Sequence, residues 1–116
     1  MATAEYWQRG EALDYTNSGD STIAANTIVK IGSRIGVTGA PIAPGETGAL
    51  HVGGVWEMPK SGTNAIVMGQ TVYFDGTGIT DAADDGGSPA TAYAEVGYAA
   101  AAAGATDTKI LVKING

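Results

Sequence analysis

Apolar and polar residues alternate with a period of two along much of the chain, which predicts β-strands. The clearest case is "TIVKIGSRIGV" (residues 27–37). This segment forms either one strand with one buried side or two strands joined near Gly32 and Ser33. If it is extended throughout, its odd-numbered apolar residues share one face: Val29, Ile31, Ile35 and Val37.

Three later segments show the same alternation: "TVYFD" (71–75), "AYAEVGYA" (92–99) and "KILVKI" (109–114). Turn residues such as Gly76 and Gly78 follow or separate them, at spacings typical of an all-β domain. One face of each strand is predicted to be buried: Val72 and Phe74; Ala94, Val96 and Tyr98; Ile110, Val112 and Ile114.

The stretch "GALHVGGVWEMPKSG" (48–62) also reads as extended chain with an interruption. Gly53 and Gly54 allow a bulge or bend. The strand restarts at Val55, and Pro59 ends its pairing because proline has no backbone N–H.

A short sequence motif occurs three times, in "IAANTIV" (23–29), "IAPGETGAL" (42–50) and "IVMGQTVYF" (66–74). Each copy starts with Ile and reaches Asn or Gly three residues later, before a strand. Asn and Gly readily adopt the left-handed backbone conformation, so the motif predicts a repeated turn that leads into a strand. The uneven spacing of the copies argues against a solenoid.

Composition indicates one small domain with a thin core. The chain has 116 residues, of which 18 are Gly and 20 are Ala, and it has no Cys. Small scaffolds of this kind usually need disulfides, metals or neighbouring subunits for stability. Disulfides are excluded and a single His makes a structural zinc site a poor fit, so oligomerisation is the expected source of stability.

The net charge of −6 argues against a nucleic-acid partner, because binding a phosphate backbone requires Lys and Arg. No apolar run reaches the roughly 20 residues of a membrane span. The N-terminal sequence also lacks the basic and apolar regions of a signal peptide, which predicts synthesis in a cytoplasm and no membrane partner.

Candidate catalytic and metal-binding chemistry is sparse. His51 has only Glu57 as a nearby carboxylate, and the glycines between them disturb the register, so a strand-face or interface role is favoured over a catalytic dyad. The acidic loop "DAADDGGSPATA" (81–92) lacks the third-position and twelfth-position ligands of a calcium loop. We therefore predict a protein that is not an enzyme, with no catalytic, cofactor or metal residues.

Aromatic residues are the strongest candidates for an interaction site. Three of them lie near the N-terminus in a segment without a clear period: Tyr6, Trp7 and Tyr15. The fourth, Trp56, lies in the extended stretch 48–62. Large aromatic side chains are enriched at protein interfaces, and these four are the predicted interface residues. We predict an N-terminal arm over residues 1–15 and one β domain over residues 16–116.

Four segments taken in order resemble the phage capsid cement, or decoration, proteins. They are "GEALDYTNSGDSTIAANTIVKIGSRIGV", "IAPGETGALHVGGVWEMPK", "AIVMGQTVYFD" and "AEVGYAAAAAGATDTKILVKI". The most specific pieces are Gly54–Lys60, Gly69–Asp75 and Gly97–Ala99. The resemblance spans nearly the whole chain.

The resemblance implies a small antiparallel β-sandwich or barrel of jelly-roll type. It also implies a homotrimer on the outer capsid surface of a tailed double-stranded DNA phage or prophage, where it stabilises contacts between major capsid proteins. The second hypothesis, which comes from the residues alone, is a non-enzymatic carbohydrate-binding module that uses Trp7, Trp56 or Tyr73.

Overall fold

The computed structural model describes residues 2–6 and 8–115. Within them 43% of the residues lie in strands or isolated β-bridges, and there is no helix. The nine strands are Ala12–Thr16 (β1), Ile28–Ile31 (β2), Arg34–Thr38 (β3), Thr47–His51 (β4), Val55–Pro59 (β5), Thr71–Phe74 (β6), Ile79–Thr80 (β7), Ala94–Ala99 (β8) and Lys109–Ile114 (β9).

The strands form two antiparallel sheets that pack together, which confirms the predicted β-sandwich. The first sheet has the order β1-β4-β3-β2, and the second has the order β5-β9-β8-β6-β7. The chain completes the first sheet before it starts the second, and it crosses between them at residues 52–54, where the sequence predicted a bend. In a jelly roll the strands of two Greek keys contribute to both sheets, so this connectivity differs from that of a jelly roll.

The main core lies on the inner face of the second sheet. The predicted buried face of β9 is confirmed, because Ile110, Val112 and Ile114 are 3% exposed or less. The first sheet contributes the fully buried side chains of Ile35 and Val37 from β3. The second sheet and its loops supply the rest of the buried cluster: Met58, Ile66, Val72, Ile79, Ala94, Val96, Ala99, Ala103, Ile110, Val112 and Ile114.

The segment 27–37 is a hairpin, the second of the two predicted alternatives. Ile28 is paired with Val37, and Lys30 with Ile35. Directly paired residues of antiparallel strands point to the same side, so Ile28, and not Val29, shares the inner face with Val37. The prediction that Val29 and Ile31 share a face with Ile35 is wrong, because the two-residue turn at Gly32 and Ser33 reverses the parity.

A β-bulge in β8 moves Tyr98 away from the core. Val72 is paired with Gly97 whereas Tyr73 is paired with Glu95, so β8 carries one extra residue at this point. Gly97 has φ +149°, and a Cβ there would overlap the carbonyl oxygen of Lys113. An extra residue shifts the alternation by one. Tyr98 is therefore 37% exposed, which corrects the prediction that it shares the buried face of Val96.

The repeated turn predicted from the sequence is confirmed. Asn26, Gly45 and Gly69 all have positive φ, between 61° and 88°, and each turn leads into a strand. The turns are paired, because Ile23 bridges Ile42 and Ile66 bridges Ala103. Ala103 begins a fourth, related turn, which starts with Ala instead of Ile.

Candidate interaction surfaces

The N-terminal segment is irregular and largely exposed up to Glu11. The Tyr6 side chain is 82% exposed, and Arg9 forms an exposed ion pair of 2.7 Å with Glu11. The carbonyl oxygen of Glu11 accepts a hydrogen bond from the Val52 amide at 3.0 Å. The last four residues of the predicted arm belong to β1, so the irregular part ends where this bond ties the chain to the first sheet. Trp7 lies outside the described residues.

Tyr15 lies in β1 and is half-buried. It is paired with Gly48, whereas Ala12 of the same strand is paired with His51. Residues three apart in a strand point to opposite faces, so Tyr15 and the His51 side chain lie on different sides of the first sheet. Leu13, which shares the face of Tyr15, is 40% exposed.

Trp56 is a half-buried side chain at the margin of the core. It packs against the main buried cluster, and its Nε1 donates a hydrogen bond of 2.9 Å to the Gly53 carbonyl oxygen. The ring of His51 lies beside it, with 5.7 Å between ring centroids and an angle of 42° between planes. Trp56 also lines a cleft of about 270 Å³ together with Asn26 and Ile28.

His51 and Glu57 are not arranged as a catalytic pair. The His51 ring packs on Trp56, and its Nε2 lies so close to Gly39 that a Cβ there would be only 2.6 Å away. Glu57 follows Trp56 directly in β5 and therefore points to the opposite face of the second sheet. Gly39 leaves the space that the imidazole occupies, which is a packing role.

The candidate aromatic residues do not assemble into one platform within the described part of the chain. Tyr73 alternates with the buried Val72, so it points to the outer face of the second sheet, while Trp56 points to the inner face. Tyr6 belongs to the irregular N-terminal segment. These positions give no support to a shared sugar-binding surface.

The loop after β7 contains three aspartates, and one of them, Asp85, is hydrogen-bonded to backbone amides of the same loop. Asp85 Oδ1 accepts hydrogen bonds from the amides of Gly87, at 2.8 Å, and Thr91, at 3.0 Å. These bonds lower the pKa of Asp85. Among residues 2–6 and 8–115 no group of three His, Cys, Asp or Glu side chains is placed to hold a metal ion. The described chain also contains no helix of the length and apolarity needed to cross a bilayer.

An exposed apolar surface that the aromatic residues did not indicate lies on the outer face of the second sheet. Val55 is 56% exposed, Leu111 is 42% exposed, and Tyr98 joins them because of the bulge. The alternation in "KILVKI" puts Leu111 on the same side of the strand as two lysines, so part of this surface is visible in the sequence. The contribution of Tyr98 was hidden by the shift of register.

A comparison of the sequence with known protein families agrees with this structure of packed strands and exposed surfaces. The sequence pattern of the phage cement protein family matches residues 7–114, which is nearly the whole chain. The chain belongs to the phage cement protein family. This family consists of structural phage proteins and is not a known enzyme family, and membership gives the chain a role in association with the phage capsid.

No curated protein and no solved structure matches the chain. The family assignment therefore rests on the sequence pattern over residues 7–114.

Proposed function

We propose that the protein is a capsid cement protein of a tailed double-stranded DNA phage or prophage. In this proposal it binds the outer surface of the capsid as a homotrimer, contacts the major capsid protein and stabilises the contacts between capsid subunits. It is made in the host cytoplasm and acts without enzymatic activity. The observation that carries the proposal is the match to the phage cement family over residues 7–114.

The physical character of the chain supports this function. A domain with a thin core is stabilised when it binds a partner, because binding to the folded state alone shifts the folding equilibrium. A protein with net charge −6 is repelled by packaged DNA, which favours the outer surface of the capsid. We expect no DNA binding at physiological salt, and a measured complex with duplex DNA would contradict this part of the proposal.

The direct test is co-sedimentation with expanded, undecorated capsids of the phage that encodes the chain. We expect the protein to sediment with the capsids at saturable occupancy and to raise the temperature at which they open. Unexpanded procapsids serve as the control for a site that forms on expansion. Absence of saturable binding to expanded capsids would overturn the proposal.

The N-terminal segment is the part that we propose reaches a neighbouring capsid or cement subunit. It is exposed, it carries Tyr6, and it ends at the bond between Glu11 and Val52. Deletion of residues 2–10 leaves that bond and β1 in place, so the domain should unfold at nearly the same temperature while capsid occupancy falls. A Tyr6→Ala variant tests the aromatic side chain alone. Unchanged occupancy after the deletion would refute this assignment.

A further inference from the structure

The outer face of the second sheet carries a continuous apolar and positively charged surface. Cross-strand pairing places Val55 beside Lys113 and Lys113 beside Tyr98, and it places Glu57 beside Leu111. We call this surface the basic face and define it by the residues Val55, Glu57, Tyr98, Lys109, Leu111 and Lys113. Exposed apolar side chains framed by charge are typical of an interaction site.

The charge of this face is opposite to that of the protein as a whole. It holds two lysines against one glutamate, although the chain contains 12 acidic and only 6 basic residues. Within residues 2–6 and 8–115, neither Lys109 nor Lys113 forms a salt bridge with a carboxylate. The face is therefore suited to an acidic partner.

The chain itself supplies such a partner in the loop that follows β7. This loop contains three aspartates within five residues: Asp81, Asp84 and Asp85. Within the described part of the chain, none of the three forms a salt bridge. They belong to the acidic loop, residues 81–92. Asp84 and Asp85 are exposed.

The charges of the two surfaces favour one mode of association. The basic face lies on β5, β9 and β8, and the acidic loop continues from β7, which the bridge between Lys60 and Ile79 joins to the end of β5. A two-fold contact of basic face with basic face would oppose like charges. A head-to-tail contact pairs lysines with aspartates, and its repetition closes into a ring when the rotation from one subunit to the next is a whole fraction of a turn.

We propose that the basic face of one subunit binds the acidic loop of a second copy of this chain, head to tail, and that three such contacts close the trimer. This inference rests on the proposed function, because it assigns the surfaces of the proposed trimer. Leu111 and Val55 supply the apolar centre of the contact, and the lysines select its orientation.

The first test is carbodiimide cross-linking, which joins a lysine amine directly to a neighbouring carboxylate. An equal mixture of unlabelled and ¹⁵N-labelled protein is cross-linked free in solution and bound to capsids, and the peptides are identified by mass spectrometry. We expect mixed-isotope links between Lys109 or Lys113 and the acidic loop. If such links are absent under both conditions, the inference is overturned, whether or not the protein binds capsids.

The second test is a charge exchange followed by sedimentation equilibrium. Lys109→Glu with Lys113→Glu should weaken association about tenfold or more, and Asp81→Lys with Asp84→Lys should do the same. Asp85 is kept because it organises the loop. All four changes in one chain should restore association, and failure of this restoration would contradict the pairing.

The apolar centre has a matched control. Leu111→Ser should weaken association, whereas Met68→Ser, which alters an exposed side chain in the turn before β6, should leave it unchanged. Equal association constants for wild type and Leu111→Ser would argue against the basic face. Co-sedimentation with capsids is measured on the same variants, so loss of self-association with retained capsid binding separates this inference from the cement function.

Discussion

The two sheets of the sandwich are stabilised in different ways. The second sheet holds most of the buried apolar cluster, and alternate residues of β9 point into it. The first sheet contributes only β3 and part of β2 to that cluster. Its remaining buried side chains, Ile42 and Leu50, pack against glycines: a Cβ on Gly48 would lie 2.6 Å from Ile42, and one on Gly36 would lie 2.5 Å from Leu50.

Polar contacts also matter more in the first sheet. Asn17 is 3% exposed and Thr38 is fully buried, and both side chains bond to backbone groups of the surrounding loops. Buried polar groups must be paired to avoid a desolvation penalty. The comparison teaches that the second sheet is stabilised mainly by the apolar core, whereas the first sheet and its loops also depend on glycine contacts and satisfied polar groups.

The largest effect is expected at Gly97, where the second sheet is most tightly constrained. Gly97→Ala combines a strained φ of +149° with an overlap between the new Cβ and the Lys113 carbonyl oxygen. We expect a loss of about 4 kcal/mol or more in the free energy of unfolding, measured by chemical denaturation. Gly69→Ala is the control, because its φ is +88° but the space around it is open, and it should cost about 1 to 2 kcal/mol. Similar costs for both would contradict the steric argument.

The difference between the two buried regions can be measured with one type of substitution. Ile114→Ala in the main core should cost about 4 kcal/mol, and Ile42→Ala about 2 to 3 kcal/mol. Both residues are almost fully buried, but the loop that covers Ile42 can relax more readily than the packed sheets around Ile114. A larger loss for Ile42→Ala in the same denaturation assay would show that the first sheet has the stiffer packing.

The polar contacts of the first sheet are tested at Asn17. Its Nδ2 donates to the carbonyl oxygens of Ser21, at 2.8 Å, and Ile42, at 2.9 Å. Asn17→Ala leaves both acceptors without this donor and should cost about 2 kcal/mol in thermal or chemical unfolding. Asn64→Ala is the control, because its bonds to Asp81 are exposed and measure 3.3 and 3.4 Å, and it should cost less than about 0.5 kcal/mol.

The smallest effect concerns Asp75, in the turn between β6 and β7 of the second sheet. Burial raises the pKa of Asp75, but the hydrogen bonds from Ser61, Thr77 and Gly78 outweigh it and lower the pKa to about 2. The resulting stabilisation is complete above the ordinary pKa of 3.8 and is lost as the pH falls toward 2. Because Asp75 is only half-buried and solvent screens part of the effect, we expect about 1 kcal/mol.

Asp75→Asn is the variant that measures this contribution. Its free energy of unfolding should be lower than that of the wild type at neutral pH, and the difference should shrink as the pH approaches 2. Thermal unfolding at several pH values measures it. A difference between the two proteins that does not change with pH would contradict the assigned pKa.

The sequence predicted the local elements well where neighbouring residues decide the outcome. The turns at Asn26, Gly45 and Gly69 follow from residues that accept positive φ, and the buried face of β9 follows from simple alternation. The alternation gave the wrong buried face for β2 and for Tyr98. A hairpin turn in the first case and a bulge in the second shift the alternation by one residue. Both depend on pairing between strands, which a local pattern does not contain.

The same limit applies to the candidate interaction residues. Trp56 stays a predicted interface residue, and only the structure shows that the crossover between the sheets places it beside His51 and the core. The basic face was only partly visible, since its members come from three strands whose order in the sheet differs from their order in the chain.

The sequence by itself determined that this protein is an acidic, cysteine-free all-β domain of the phage cement family, because composition, alternation and motif order are properties of the chain alone. Only the tertiary structure decided which residues are exposed together. Sheet register and the bulge at Gly97 bring Val55, Tyr98 and Leu111 to one face, and these depend on contacts between residues that are far apart in sequence.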